Sequence, residues 1–203
     1  GMQLALACVT ALYTRGMTGR GQLVQTSALG AQLWLQMWEL QQSALTGTPL
    51  LRDGSHHPNI KSPYGVYMSA DGVPFFFVTA RADEAWNEFW IFVDMPEALL
   101  MDQWDTGGKR MGFPGTTEAL PEIRQLMQKA FASKTSTELD PFFSSQPQII
   151  CERVLRHDEV LSDPQNTAND YIVEIELPVT GSTKTVGTLM SFSDTPTDIP
   201  SAP

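Results

Sequence analysis

The stretch TGRGQLVQTS, residues 18–27, is where a fold class can first be predicted from this sequence. It follows an apolar segment, 2–15, whose polar residues are isolated, and this pattern predicts a helix that ends at Gly16. The glycines of the stretch predict a tight turn, and Gln22–Ser27 is short and partly β-branched, which is typical of a strand. Its final serine can cap a second helix that continues to about Leu45. Helix, turn, strand and helix in this order predict an α/β fold.

The formal net charge of −10 is distributed unevenly along the 203 residues. Residues 1–52 hold three arginines and a single acid, Glu39, which gives +2, so residues 53–203 carry −12. A segment so poor in charge and so rich in Leu, Ala, Met and Trp is expected to need burial on most sides. Because no basic residues are clustered, we expect no nucleic-acid partner and no membrane partner.

Three regions are predicted along the chain. Residues 1–48 form part of a larger domain, residues 49–143 contain a linker and a small α+β domain, and residues 144–203 form a return segment with a Pro-rich tail. In the small domain, Tyr64–Met68 and Val73–Val78 predict a β-hairpin, and Pro74 indicates an edge strand.

Two amphipathic helices are predicted to follow the hairpin, one beginning at Asp83 and one at Thr117. Their apolar residues recur at helical spacing, and we expect them to face a common core: Trp86, Phe89, Trp90 and Val93 in the first, and Leu120, Ile123, Met127, Ala130 and Phe131 in the second. The return segment predicts strands at Ile149-Ile150, Ile172–Leu177 and Thr185–Phe192, a short helix at His157–Leu161, and an extended tail from Thr195.

Few residues suggest chemistry from their spacing alone. Cys8 and Cys151 are far apart in apolar contexts, which predicts two buried, unreactive thiols and a reducing, cytoplasmic setting. His56 and His57 are adjacent, but the chain has only one other histidine, so we expect a polar loop and no metal site. Glu174 and Glu176 alternate with apolar residues and are expected to lie on a solvated strand face.

Several short motifs, taken in order, make the sequence similar to the family III CoA-transferases of the CaiB/BaiF type, the group of formyl-CoA transferase and the carnitine CoA-transferases. The resemblance covers nearly the whole chain. The motifs are Ala11-Leu12-Tyr13, Thr18-Gly19-Arg20-Gly21-Gln22, His57-Pro58-Asn59-Ile60, Pro63-Tyr64-Gly65-Val66-Tyr67, Ala70-Asp71-Gly72, Asp83-Glu84 with Trp86, Leu161-Ser162-Asp163-Pro164-Gln165, Val173-Glu174-Ile175-Glu176-Leu177-Pro178, and Val186-Gly187 through Phe192-Ser193 with Thr195-Pro196.

The resemblance implies part of a Rossmann-like large domain together with a small α+β domain. It also implies an interlocked homodimer, with coenzyme A as a substrate and no resident cofactor. The family's nucleophilic aspartate would precede Gly1, so no catalytic residue is expected within these 203 residues and the chain by itself is expected to be inactive. Carried over residue by residue, the family's substrate loop corresponds to His57, Asn59, Tyr64 and Gly65.

Two alternatives remain open. An α-methylacyl-CoA racemase shares the fold and moves a proton at the α-carbon, although Arg81-Ala82-Asp83-Glu84 lacks the acidic motif of the racemases. A non-catalytic interaction or vestigial module is the third possibility, because no other group of residues could replace the absent nucleophile. The near-uncharged first quarter also predicts an exposed apolar surface that pairs with another copy or aggregates.

Overall fold

The computed structural model describes residues 1–52, 54, 56–60, 62–110 and 120–197, which form two compact units, Gly1–Asn59 and Ile60–Pro203. The start of the predicted second amphipathic helix at Thr117 and the end of the tail lie outside the described residues. No helix in the described ranges has both the length and the hydropathy needed to cross a bilayer.

The first unit consists of three helices, α1 (Met2–Thr18), α2 (Ala28–Leu35) and α3 (Met37–Thr46). The predicted end of α1 is wrong: Gly16 lies inside the helix, and Gly19 ends it with a left-handed φ of 70°. The predicted serine cap is confirmed, since Ser27 Oγ accepts from the Gly30 N–H at 3.0 Å. The single helix predicted after it is two helices, which Gln36 separates.

The strand predicted at Gln22–Ser27 is wrong. These residues connect α1 to α2 without strand pairing. A β-branched run forms a strand only where a neighbouring strand accepts its ladder hydrogen bonds, and the described part of the first unit offers none.

The helices of the first unit bury no residue completely. Large apolar side chains stand in solvent, among them Leu6 at 69% and Trp34 at 63% exposure, and both line an open cavity of about 520 Å³ between α1 and α2. Among the described residues, the expectation that this segment is buried on most sides is therefore not met. The prediction of an exposed apolar surface is confirmed.

The second unit is built on a three-stranded antiparallel sheet in the order β1 (Gly65–Met68), β2 (Pro74–Ala80) and β3 (Ile149–Arg153). The hairpin and the strand at Ile149 are confirmed. The prediction that Pro74 marks an edge strand is wrong, because β2 lies in the centre of the sheet. Pro74 is tolerated there as the first residue of the strand.

Helices α4 (Asp83–Phe92), α6 (Leu120–Ala132) and α7 (Ser136–Ser145) contribute to a core with the sheet. Both predicted apolar faces are confirmed, since every residue named for them is buried. Short helical turns at Pro96–Leu100, Asp102–Trp104 and α5 (Gly107–Arg110) follow α4. The side chain of Arg110 is 1% exposed, and its guanidinium donates to the carbonyls of Ala80 and Trp104 and pairs with Asp83.

The return segment contains α8 (His157–Val160), α9 (Pro164–Ala168), and a separate two-stranded sheet of β4 (Ile172–Leu177) and β5 (Gly181–Val186). The bounds of β4 are as predicted, and Glu174 and Glu176 are exposed. The strand predicted at Thr185–Phe192 is wrong, because β5 begins at the turn glycine, Gly181, and ends before Gly187. Gly187 donates its N–H to the Tyr171 carbonyl at 2.9 Å.

Candidate functional site

His57 lies in the loop after α3, and its imidazole makes three contacts, one at each ring nitrogen and one on a ring face. Its imidazole stacks on Trp38, with ring centroids 4.7 Å apart and planes 5° from parallel. Nε2 lies 3.4 Å from Glu39 Oε1, and Nδ1 accepts the Asn59 N–H at 3.2 Å. Trp38 and Glu39 belong to the first turn of α3, so the start of that helix supplies two of the three contacts.

Asn59 contacts His57 through its backbone N–H, and its side-chain amide has different surroundings. Nδ2 is buried and has no hydrogen-bond partner among the described residues. Beside this loop is an open cavity of about 400 Å³, lined by Glu39, Leu50, Leu51, Arg52, Gly54, His56, His57 and Pro58. Of the two predicted residues, His57 lines this cavity, whereas Asn59 contacts His57 and is not among the lining residues.

Tyr64 and Gly65, the other two predicted residues, belong to the second unit. The Tyr64 N–H donates to Ser62 Oγ at 3.2 Å, and its ring meets Phe76 edge-on with centroids 4.9 Å apart. Gly65 is the first residue of β1 and pairs with Phe77. The sheet thus fixes this pair, whereas α3 fixes the pair in the first unit.

The hydrogen bonds of His57 determine which nitrogen carries the proton. Nδ1 accepts a backbone N–H, so the neutral ring carries its proton on Nε2, where the Glu39 carboxylate accepts it. Both nitrogens are then occupied. In this arrangement the ring is suited to holding the loop in place, and it has no free nitrogen for proton transfer.

Asp83, a residue of one of the motifs, has a structural role. The Asp83 carboxylate accepts from the Gly107 N–H at 2.9 Å and pairs with the buried Arg110, so it connects α4 to α5.

No group of three metal-ligating side chains occurs in the part of the chain that the structure describes. Cys151 is buried, and burial raises the pKa of its thiol. The same prediction for Cys8 is wrong, because α1 leaves it exposed.

The sequence did not identify Trp38 and Glu39 as site residues. Trp38 lies among apolar residues of a predicted helix, which by itself indicates packing, and Glu39 lies 18 residues from the histidine that it contacts. One signal was present: Glu39 is the only acidic residue among the first 52. A lone carboxylate in an apolar segment requires a partner, but the sequence does not say which residue provides it.

The family model of CoA-transferase family III matches residues 1–203. Among the similar curated proteins, a formyl-CoA:oxalate CoA-transferase of Rhodopseudomonas palustris is 26% identical over 226 aligned residues, covering all of this chain and 51% of the relative. A protein of the same name from Escherichia coli is 28% identical over 221 aligned residues, covering all of this chain and 52% of the relative.

Two solved structures have a similar fold at 18% identity. A CaiB/BaiF family protein from Brucella suis has a TM-score of 0.74, and Rv3272 from Mycobacterium tuberculosis has a TM-score of 0.71. Each match covers 97% of this chain and 48% of the solved chain. The chain thus spans about half the length of the relatives that it matches.

Proposed function

Because the chain belongs to CoA-transferase family III, we propose that the protein moves coenzyme A between two carboxylic acids. The single observation that supports this proposal is the family match across all 203 residues. The relatives named above act, by their names, on formyl-CoA and oxalate, so these two compounds are the first substrates to test. The predicted homodimer, with its active site shared between subunits, is part of the same proposal.

The proposed chemistry follows the family's covalent route. An aspartate carboxylate attacks the acyl-CoA carbonyl, which expels CoA thiolate and leaves an acyl-aspartyl anhydride. The thiolate attacks the aspartyl carbonyl and releases the donor acid, which gives an aspartyl-CoA thioester. The acceptor carboxylate then attacks the aspartyl carbonyl and expels the thiolate again, which gives a second anhydride. The thiolate attacks the acceptor carbonyl of this anhydride, which gives the new acyl-CoA and the free aspartate.

Residues 1–203 would contribute the substrate loop to this reaction and not the nucleophile. The resemblance assigns the nucleophilic position upstream of Gly1, and the loop residues to His57, Asn59, Tyr64 and Gly65. The contacts of His57 with Trp38, Glu39 and Asn59 give the loop a fixed shape beside an open cavity, which supports a role in covering a bound acid.

The test compares two proteins. Residues 1–203 preceded by their upstream coding sequence are expected to exchange CoA between formyl-CoA and labelled oxalate, or between another pair of common acids. Residues 1–203 alone are expected to show no exchange and, by mass spectrometry, no acyl adduct. Absence of exchange with every acid tested would refute the transferase, and an adduct on the short chain would refute the assigned division of roles.

The same preparation distinguishes the racemase alternative. In deuterium oxide, a racemase incorporates deuterium at the α-carbon of an α-methylacyl-CoA, whereas the proposed transferase does not. Incorporation without CoA exchange would replace the proposed function with the racemase.

A further inference from the structure

We infer that the open cavity of about 400 Å³ beside the loop after α3 binds a monocarboxylic acid with a short apolar chain, and that Arg52 holds its carboxylate. All of the lining residues belong to the first unit. The inference rests on the proposed function only for the role of this acid in CoA transfer. Binding of the acid follows from the cavity itself, so it can be measured separately.

Arg52 brings a positive charge to the cavity that no protein group neutralises among the described residues. Its side chain lines the cavity, is exposed, and has neither an ion-pair partner nor a hydrogen bond in the part of the chain that the structure describes. A guanidinium presents parallel N–H groups that match the two oxygens of a carboxylate. A carboxylate that enters the cavity can therefore bind Arg52 without displacing a protein partner.

Glu39 limits the charge that the ligand can carry. It lines the same cavity, and its carboxylate lies 3.4 Å from His57 Nε2, whose proton it accepts. When the histidines are neutral, the described lining residues carry one positive and one negative charge, those of Arg52 and Glu39. A monoanion places its single charge at Arg52. A dianion places a second charge near Glu39, with no second cation to offset the repulsion.

The remaining wall favours an apolar chain on the ligand. Leu50, Leu51 and Pro58 line the cavity and offer no side-chain hydrogen bond. A second carboxylate beside them would lose hydration without gaining a partner, whereas methylene groups would gain from leaving water. The cavity is also larger than formate or oxalate requires, and its volume is typical of sites for small organic molecules. The acid expected here thus differs from the oxalate in the names of the two relatives.

The first experiment uses the protein at its full length and needs no variant. Isothermal titration calorimetry measures the Kd of acetate, butanoate, butanamide, oxalate and pyrophosphate. Butanoate is expected to bind about tenfold more tightly than acetate, because it buries more methylene groups. It should also bind about tenfold more tightly than the neutral butanamide, because it binds Arg52 as an anion. Oxalate or pyrophosphate binding as tightly as butanoate would refute the preference for a monoanion.

Substitutions of Arg52 test the anchor of the carboxylate. Arg52→Met removes the charge at similar side-chain length and is expected to weaken butanoate about tenfold while leaving butanamide unchanged. Arg52→Lys keeps the charge and should remain within about threefold of the original protein. Arg20→Met is the matched control, since Arg20 is an exposed arginine of the same unit outside this cavity. Unchanged butanoate binding in Arg52→Met would refute the anchor.

The apolar wall has its own test. Leu50→Ala combined with Leu51→Ala should reduce the preference for butanoate over acetate from about tenfold to about threefold, because the longer chain loses its contacts. Leu45→Ala is the control, since Leu45 is 80% exposed and does not line the cavity. A preference that stays the same in the double variant would contradict an apolar chain at this wall.

CoA exchange separates this inference from the proposed function. Arg52→Met should raise the KM for butanoate about tenfold and change kcat much less, because Arg52 binds the acid and takes no part in the covalent steps. CoA exchange in a protein that does not bind butanoate would refute the inference and leave the proposed function standing. If no acid exchanges CoA, the proposed function fails, while the calorimetric results still decide whether the cavity binds the acid.

Discussion

Asp71 shows how one side chain in this protein joins distant parts of the chain. Its carboxylate accepts the N–H of Ser136 at 2.8 Å, the hydroxyl of Ser136 at 2.6 Å and the hydroxyl of Ser69 at 2.6 Å. These hydrogen bonds lower the pKa of Asp71 from 3.8 to about 2, the contacts with the Ser136 and Ser69 hydroxyls being the largest causes. The carboxylate thus connects the turn between β1 and β2 to the first residue of α7.

Acid is expected to remove this contribution in a defined window. Because the pKa of Asp71 is lower in the folded state than in the unfolded chain, its stabilising effect is complete above about pH 4 and is lost as the pH falls toward 2. Asp71→Asn should therefore lower the midpoint of urea denaturation at neutral pH, and the difference from the original protein should shrink toward pH 2.

Asp94→Asn is the matched control for that comparison. Asp94 pairs with Lys134 at 2.9 Å, but its side chain is 83% exposed, so its removal should change the urea midpoint much less. A difference between Asp71→Asn and the original protein that stays constant from neutral pH to about pH 2 would contradict the assigned role of the carboxylate.

The candidate site shows which residues a sequence can and cannot reveal. His57 and Asn59 lie in one short motif, and the structure shows a contact between them, while their role as site residues stays a prediction. The contacts of His57 with Glu39 and Trp38 could not be predicted, since they depend on where the loop after α3 returns to the helix. Helix periodicity describes one element and carries no information about such a return.

Among the elements, α1 provides a comparison of two glycines with opposite roles. Gly16 lies inside the helix, and no neighbouring side chain or element comes within 4 Å of the position that a Cβ would take there. Gly19 ends the helix at a φ of +70°. Alanine is favoured over glycine in a helix interior and disfavoured in the left-handed conformation.

Gly16→Ala is therefore expected to stabilise the protein by about 0.8 kcal/mol, and Gly19→Ala to destabilise it by about 1 kcal/mol. Thermal denaturation followed by circular dichroism measures both changes, with each variant serving as the control for the other. Shifts in the same direction would contradict an end of α1 at Gly19.

The elements that could be predicted are those with a long, repeated pattern. The buried faces of α4 and α6 follow from apolar residues at helical spacing, and β4 follows from strict alternation. The predictions that fail depend on residues far away in the chain. Gln22–Ser27 pairs with no strand among the described residues, and Pro74 begins a strand that is central because β3 pairs with its other edge. The pattern of apolar and polar residues within one element does not determine the order of the strands in a sheet.

At the scale of the whole molecule, the two units differ in how completely they bury their apolar side chains. The second unit has a continuous core in which Trp90, Phe89 and Ile123 are fully buried. The first unit leaves Leu6, Trp34 and Leu35 in solvent around one cavity. Exposed apolar patches on this scale are typical of surfaces that another chain or segment covers.

Residues 1–203 alone are accordingly expected to self-associate, and sedimentation velocity should show species larger than a monomer. Because Leu6 and Trp34 are two of the exposed apolar side chains around this cavity, Leu6→Gln with Trp34→Gln should shift the distribution toward monomer. Thr10→Gln, a polar exchange at an exposed position of the same helix, should leave it unaffected. A monodisperse monomer of the original chain would contradict the expectation.

Gly187, just after β5, limits how far the return segment can change in sequence. A Cβ at this position would lie 2.2 Å from the Asp170 carbonyl oxygen and 3.0 Å from a Val173 methyl carbon. The backbone itself is in the way, so no rotamer of any side chain relieves the overlap. In a library with every residue at every position, the exposed face of β4 and β5 would accept many replacements. At position 187, only glycine would be recovered among folded variants.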